Sequence, residues 1–235
     1  MRIPSSLPPS GAAVALLLLP FLPHGGAAQS VVVDEGTFAV TLDGSAAGRE
    51  RFTIRRAGLG RDAVIIAHAE VSLKSPAGTR ELRPVLEVSP DGMARAYQLK
   101  VTGPGATDVR LNLAGRRYLA VLRTEEGQEE REFLGRQGTR ILDRLLAHQY
   151  HFLSRARAGD DVPVIEPTGR GQYTLRVISV ENARLRVGPV NVQARKMVLG
   201  SGAGERTVWF DAQDRVVRVE VPAWGYTAQR EDLVG

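Results

Sequence analysis

The stretch Ile65-Ile66-Ala67-His68-Ala69-Glu70-Val71-Ser72-Leu73 decides the fold class. Ile65, Ala67, Ala69, Val71 and Leu73 are apolar, while His68, Glu70 and Ser72 fall between them. Successive strand side chains point to opposite faces, so a period of two gives one apolar and one polar face. That pattern predicts an antiparallel strand with one side buried. The same grammar extends outward in both directions. Phe38, Val40 and Leu42 alternate, as do Phe52 and Ile54, then Tyr97, Leu99 and Val101, then Val109, Leu111 and Leu113. Turn residues separate the runs at Asp43-Gly44, Pro90-Asp91-Gly92, Gly103-Pro104-Gly105 and Ala114-Gly115, which predicts a meander of hairpins. Pro84 lacks a ladder donor, so its strand is expected to be an edge or to carry a bulge.

The period changes once. Thr139–Arg157 has neither glycine nor proline and places Ile141, Leu142, Leu145, Leu146, Leu153 and Ala156 at helical spacing. Thr139 suits an N-cap and Gly159 a stop, so an α-helix is expected over about 139–157. Leu145 and Leu146 should lie near the middle of its contact. Alternation returns at Val162 and continues through Leu175, Val177, Val187 and Val192. Asp211 to Asp214 reads as a tight turn between two last long runs. If Val208 and Phe210 face the core, Trp209 points to the opposite side. The expected fold is mainly β: a strongly curved antiparallel sheet or open β-barrel or sandwich, with one α-helix on its concave side. A one-sided sheet of so many strands curls or divides rather than staying flat. Val88 to Val101 also aligns with Val208 to Val221 at a constant shift of 120, a hint of two related hairpins.

The composition narrows the chemistry. The 235 residues include no cysteine, which removes thiolate metal sites, a cysteine nucleophile and disulfides. Lys+Arg 31 against Asp+Glu 26 gives +5, without the basic stripe of a nucleic-acid binder. Ala12–Leu22 is an apolar run of signal-peptide length, and Gly26-Ala27-Ala28 supplies small residues for cleavage. A signal peptide over 1–28 and a mature start at Gln29 are expected, with a periplasmic or secreted location. No later run approaches a transmembrane length. Residues 29–235 are expected to form one domain, with halves 29–136 and 160–235 joined by the helix.

After the leader the histidines are His68, His148 and His151. His148 and His151 would share a helix face, yet the spacing matches no zinc motif with an internal base. Ser201 lacks a nucleophile elbow, and Asp160-Asp161 lacks a calcium ligand ladder. No catalytic residue, metal or cofactor is assigned. The better lead is aromatic. Tyr150, Phe152 and Trp209 are candidate ligand-binding residues, with arginines at the rim of a groove. The expected role is a non-catalytic module that holds an apolar ligand, an anionic amphiphile or a cell-envelope protein. The alternative is a hydrolase-like or metal-dependent enzyme using the His148/His151 region.

The run Val208-Trp209-Phe210-Asp211…Arg215-Val216-x-Arg218-Val219-Glu220-x-Pro222, closing on Gly225-Tyr226, resembles a family of exported bacterial proteins of unknown function. Gly36-Thr37-Phe38-x-Val40…Gly48-x-Glu50-x-Phe52-x-Ile54 and the aromatic segment His148–Leu153 fit the same family. The resemblance implies a curved sheet or open barrel with a helix against the concave side, distantly similar to Lol-type lipoprotein carriers. It implies no established activity.

Overall fold

Side-chain alternation turns into strands almost without interruption. The computed structural model describes residues 30–202 and 204–233. The expected signal peptide and its cleavage point lie outside these residues. The strands are β1 (Ser30–Leu42), β2 (Ser45–Ala57), β3 (Val64–Ser75), β4 (Gly78–Val88) and β5 (Ala94–Thr102). Next come β6 (Thr107–Ala114), β7 (Arg117–Thr124), β8 (Gly127–Leu134), β9 (Arg140–Ile141) and β10 (Asp161–Glu166). The last five are β11 (Gly171–Val187), β12 (Val190–Ser201), β13 (Gly204–Phe210), β14 (Val216–Val221) and β15 (Tyr226–Arg230).

All of them belong to one 15-stranded sheet, ordered β8-β7-β6-β5-β4-β3-β2-β1-β15-β14-β13-β12-β11-β10-β9. The first and last strands are neighbours, with Phe38 opposite Arg230 and Leu42 opposite Tyr226. Neighbours run antiparallel except β9 and β10, which pair in parallel. The sheet curves without closing, and β8 and β9 are its two edges. Side chains bridge the seam where no backbone ladder runs. Gln172 on β11 accepts the Leu134 N–H at 3.1 Å and donates to the Leu134 carbonyl at 2.6 Å. Arg170 and Glu129 form an ion pair across it at 2.7 Å.

The inner face forms one core in which Phe38, Ile54, Leu86, Tyr97, Leu111, Leu199 and Phe210 are fully buried. Each large apolar side chain buried this way contributes roughly 1.5–3 kcal/mol. Trp209 has the opposite parity, as expected. It packs outside the core against Val187, Ala194 and Val217.

The expected α-helix over 139–157 does not form. Its place is taken by β9, an irregular turn and a 3-10 helix over His148–Leu153. The physical reason is competition for backbone donors. In a continuous helix the N–H groups of Ala147 and His148 would bond to the carbonyls of residues 143 and 144. Here both donate to the Glu50 carboxylate, each at 2.8 Å. The Asp143 N–H goes to Gln149 Oε1 at 2.7 Å, and Leu145 adopts a left-handed φ of 61°. The segment still lies against the inner face, with Leu142, Leu146, Ala147, Tyr150 and Leu153 buried in the core.

Two further expectations change. β4 is an interior strand, so Pro84 is not at an edge; the β3–β4 register continues past it while the rungs beside Ala69 and Glu70 are missing. Both turns form, but their shared hydrogen-bond pattern aligns at a shift of 122 and not at the expected 120. Ser89 N–H bonds the Met93 carbonyl and Gly92 N–H bonds the Ser89 carbonyl. Asp211, Arg215 and Asp214 repeat that pattern, and Gly92 and Asp214 both have positive φ.

Candidate functional site

Three charged residues sit on the apolar parity of their strands and therefore point inward. Glu50 on β2 is fully buried and is the anchor of the inner segment. Besides the two backbone N–H groups, its Oε1 lies 2.6 Å from His148 Nδ1. A carboxylate that already accepts two bonds receives this one too, so Nδ1 is the donor. His148 is equally buried, lies near-parallel to Phe52 with ring centroids 6.2 Å apart, and leaves Nε2 without a partner among the described residues.

Arg206 on β13 forms a second polar knot. Its guanidinium donates to the Tyr150 hydroxyl at 3.0 Å and to the Tyr173 hydroxyl, and lies 3.7 Å from Glu166. Glu166 also receives Arg144 Nε at 2.6 Å and the Tyr173 hydroxyl at 3.1 Å. A Cβ on Gly169 would lie 2.0 Å from Glu166 Oε1, so any larger residue there would displace the Glu166 carboxylate from this arrangement. Burial raises the Tyr150 and Tyr173 hydroxyls above the usual phenol range. Arg230 on β15 is the third. It forks onto Asp34 at 2.8 and 3.1 Å and also pairs with Asp232.

Asp143 joins the inner segment to β5 and to Thr168. It accepts the Tyr97 hydroxyl at 3.0 Å, the Arg144 N–H at 3.0 Å, and both the N–H and hydroxyl of Thr168. Burial pushes its carboxyl up to about 6 despite these donors.

Two adjoining clefts lie at one end of the inner segment, around Phe152. A cleft of about 430 Å³ is lined by Val33, Ile65, Arg56, Arg140, His151 and Phe152, among others. A second, of about 270 Å³, shares Arg140, Phe152 and Arg155 with it. Phe152 is half-buried between them, in edge contact with the His151 ring at 5.5 Å.

The candidate residues are not all brought together. Tyr150 and Phe152 both touch the inner core, but Tyr150 is buried and bound to Arg206 while Phe152 reaches the clefts. Trp209 is on the outer face of the sheet, in a separate cluster, with Arg218 stacked 5.6 Å from its ring. The histidines do not converge either. His68 is exposed on β3, His148 is enclosed, and His151 lines the cleft. Among the described residues no three His, Asp or Glu side chains gather as a metal site. Nor does any described helix have the length and apolarity to cross a membrane.

No family model matches the chain, and no curated protein does. Among solved structures it is similar to the crystal structure of a β-barrel-like protein of domain of unknown function DUF1849 from Brucella abortus. The two share 7% identity over 83% of this chain and 94% of that one, with a TM-score of 0.48.

Proposed function

We propose that the protein is an exported, non-catalytic module that binds an apolar or amphipathic ligand at the Phe152 end of its curved sheet. One observation carries this reading: the interior is filled by core and inner segment, whereas two clefts meet at the half-buried Phe152 ring. Ligand sites are concave and mostly apolar with a few placed polar groups, and Val33, Ile65 and Phe152 beside arginines fit that description. Glu50 and Arg206 are committed to holding the inner segment, and His148 is shut away from any substrate. Export is supported by the apolar run Ala12–Leu22 and the small residues before Gln29.

Titration with an environment-sensitive fatty-acid probe tests the reading. Saturable binding is expected, weakened about tenfold or more in Phe152→Ala, because a buried aromatic contributes roughly 1.5–3 kcal/mol. No saturable signal at any acyl-chain length would refute it.

A further inference from the structure

We propose that Arg56, Arg140 and Arg155 bind the phosphate head group of an amphiphile whose chain lies on Val33, Ile65 and Phe152. The inference rests on the ligand-binding reading above and adds the chemistry of the ligand.

The argument is one of unmatched charge. Elsewhere in the sheet several buried or half-buried arginines meet carboxylates: Arg230 meets Asp34 and Asp232, Arg206 meets Glu166, and Arg195 meets Asp214. The three cleft arginines make no ion pair and no hydrogen bond to a carboxylate among the described residues. They arrive from separate segments, β2, β9 and the chain just after the 3-10 helix, and line the same cleft. Asp91 is the one carboxylate lining it, and that side chain already accepts the Ser89 hydroxyl and the Met93 N–H. Three arginines against one aspartate leave the cleft at +2.

Arg140 is held in place for such a role. Its Nε donates to the Phe152 carbonyl at 3.1 Å and its Nη1 to the Gly138 carbonyl at 2.9 Å. Nη2 lies against Gly92, where a Cβ would come within 2.8 Å and where φ is +82°. Two carbonyls fix the guanidinium without neutralising it; Asp91 faces it as a charged neighbour but forms no ion pair with it, and such a half-buried cation favours a further anionic partner. His151 lines the same cleft, and its Nδ1 is buried without a partner among the described residues. Guanidiniums from three segments suit a phosphate, whose terminal oxygens spread tetrahedrally, better than a carboxylate, whose two oxygens lie in one plane. The apolar wall beside them gives the alkyl chain its place.

Calorimetric titration with dodecyl phosphate, dodecanol and inorganic phosphate, each below any micelle concentration, tests this. Dodecyl phosphate should bind about tenfold or more tighter than dodecanol, and an Arg56→Gln/Arg155→Gln double variant should erase that difference. Both side chains are exposed, so the variant should keep its melting temperature. Equal affinity for dodecyl phosphate and dodecanol would overturn the head-group site and leave the apolar cleft standing. Inorganic phosphate binding as tightly as dodecyl phosphate would overturn the amphiphile. Binding of none of the three would overturn both readings.

Discussion

Glu50 and His148, 98 positions apart in the chain, are joined at 2.6 Å with no solvent reaching either side chain. The bond ties strand β2 to the segment that fills the sheet. The same carboxylate takes the N–H groups of Ala147 and His148. Replacing it therefore strands three donors at once. Glu50→Ala should cost about 3–5 kcal/mol, the usual cost of breaking a buried pair from one side. Glu50→Gln should cost less, since an amide oxygen still accepts. Urea denaturation of both variants measures this; a loss under 1 kcal/mol in Glu50→Ala would mean the segment is held by packing alone.

Packing makes its own contribution through Leu146, which has no exposed surface. Leu146→Ala should destabilise the fold by about 2–5 kcal/mol. Leu59→Ala, at a side chain 89% exposed, should change stability by less than about 0.5 kcal/mol. Equal effects at the two sites would contradict the buried position of the inner segment.

Asp143 predicts a pH dependence with a definite sign. Its carboxyl titrates near 6 in the folded protein against an ordinary 3.8, because burial disfavours the charge. The folded state thus holds the proton more tightly. The contribution to stability is full below about pH 4 and is lost as pH rises through about 6, by about 3 kcal/mol at most. Asn at this position still accepts from Thr168 and carries no charge. The stability of Asp143→Asn relative to the parent should rise between pH 4 and 7, and parallel urea midpoints across that range would sink the idea.

How much of this was legible in the chain depends on how local the cause is. The strands, the Asp211–Asp214 turn and the outward parity of Trp209 follow from neighbours in sequence, and they are where alternation places them. The inner segment is different. Its apolar spacing satisfies a helix, but the donors of that helix are captured by a carboxylate from β2. The clue was Glu50 itself, a charge on the same parity as Phe52 and Ile54. Arg206 beside Val208 and Phe210, and Arg230 beside Tyr226 and Ala228, carry the same clue. A charge on an apolar face implies a buried partner; which partner is set by the pairing of distant strands.

The two aromatic candidates should separate in experiment. Trp209 packs on the outer face and Phe152 lines the cleft. Trp209→Ala should cost about 3 kcal/mol of stability while leaving fatty-acid probe affinity within about twofold. Phe152→Ala should do the reverse. Probe binding lost equally in both variants, with each still folded, would place the ligand somewhere other than the Phe152 clefts.

The pairing of β1 with β15 bears on how the chain reaches this state. Phe38–Leu42 waits for Tyr226–Arg230, so the middle of the sheet cannot be completed until the chain through Arg230 has been made. The meander from β1 to β8 can assemble from adjacent hairpins long before that. During synthesis β1 is then a bare edge with unpaired backbone groups, the kind of edge that recruits foreign strands. The residues of β1 beyond the reach of β15 include Asp34, which holds Arg230 from 196 positions away in the sequence. Arrival of that arginine fastens β15 to β1, and until then β1 stands as an open edge.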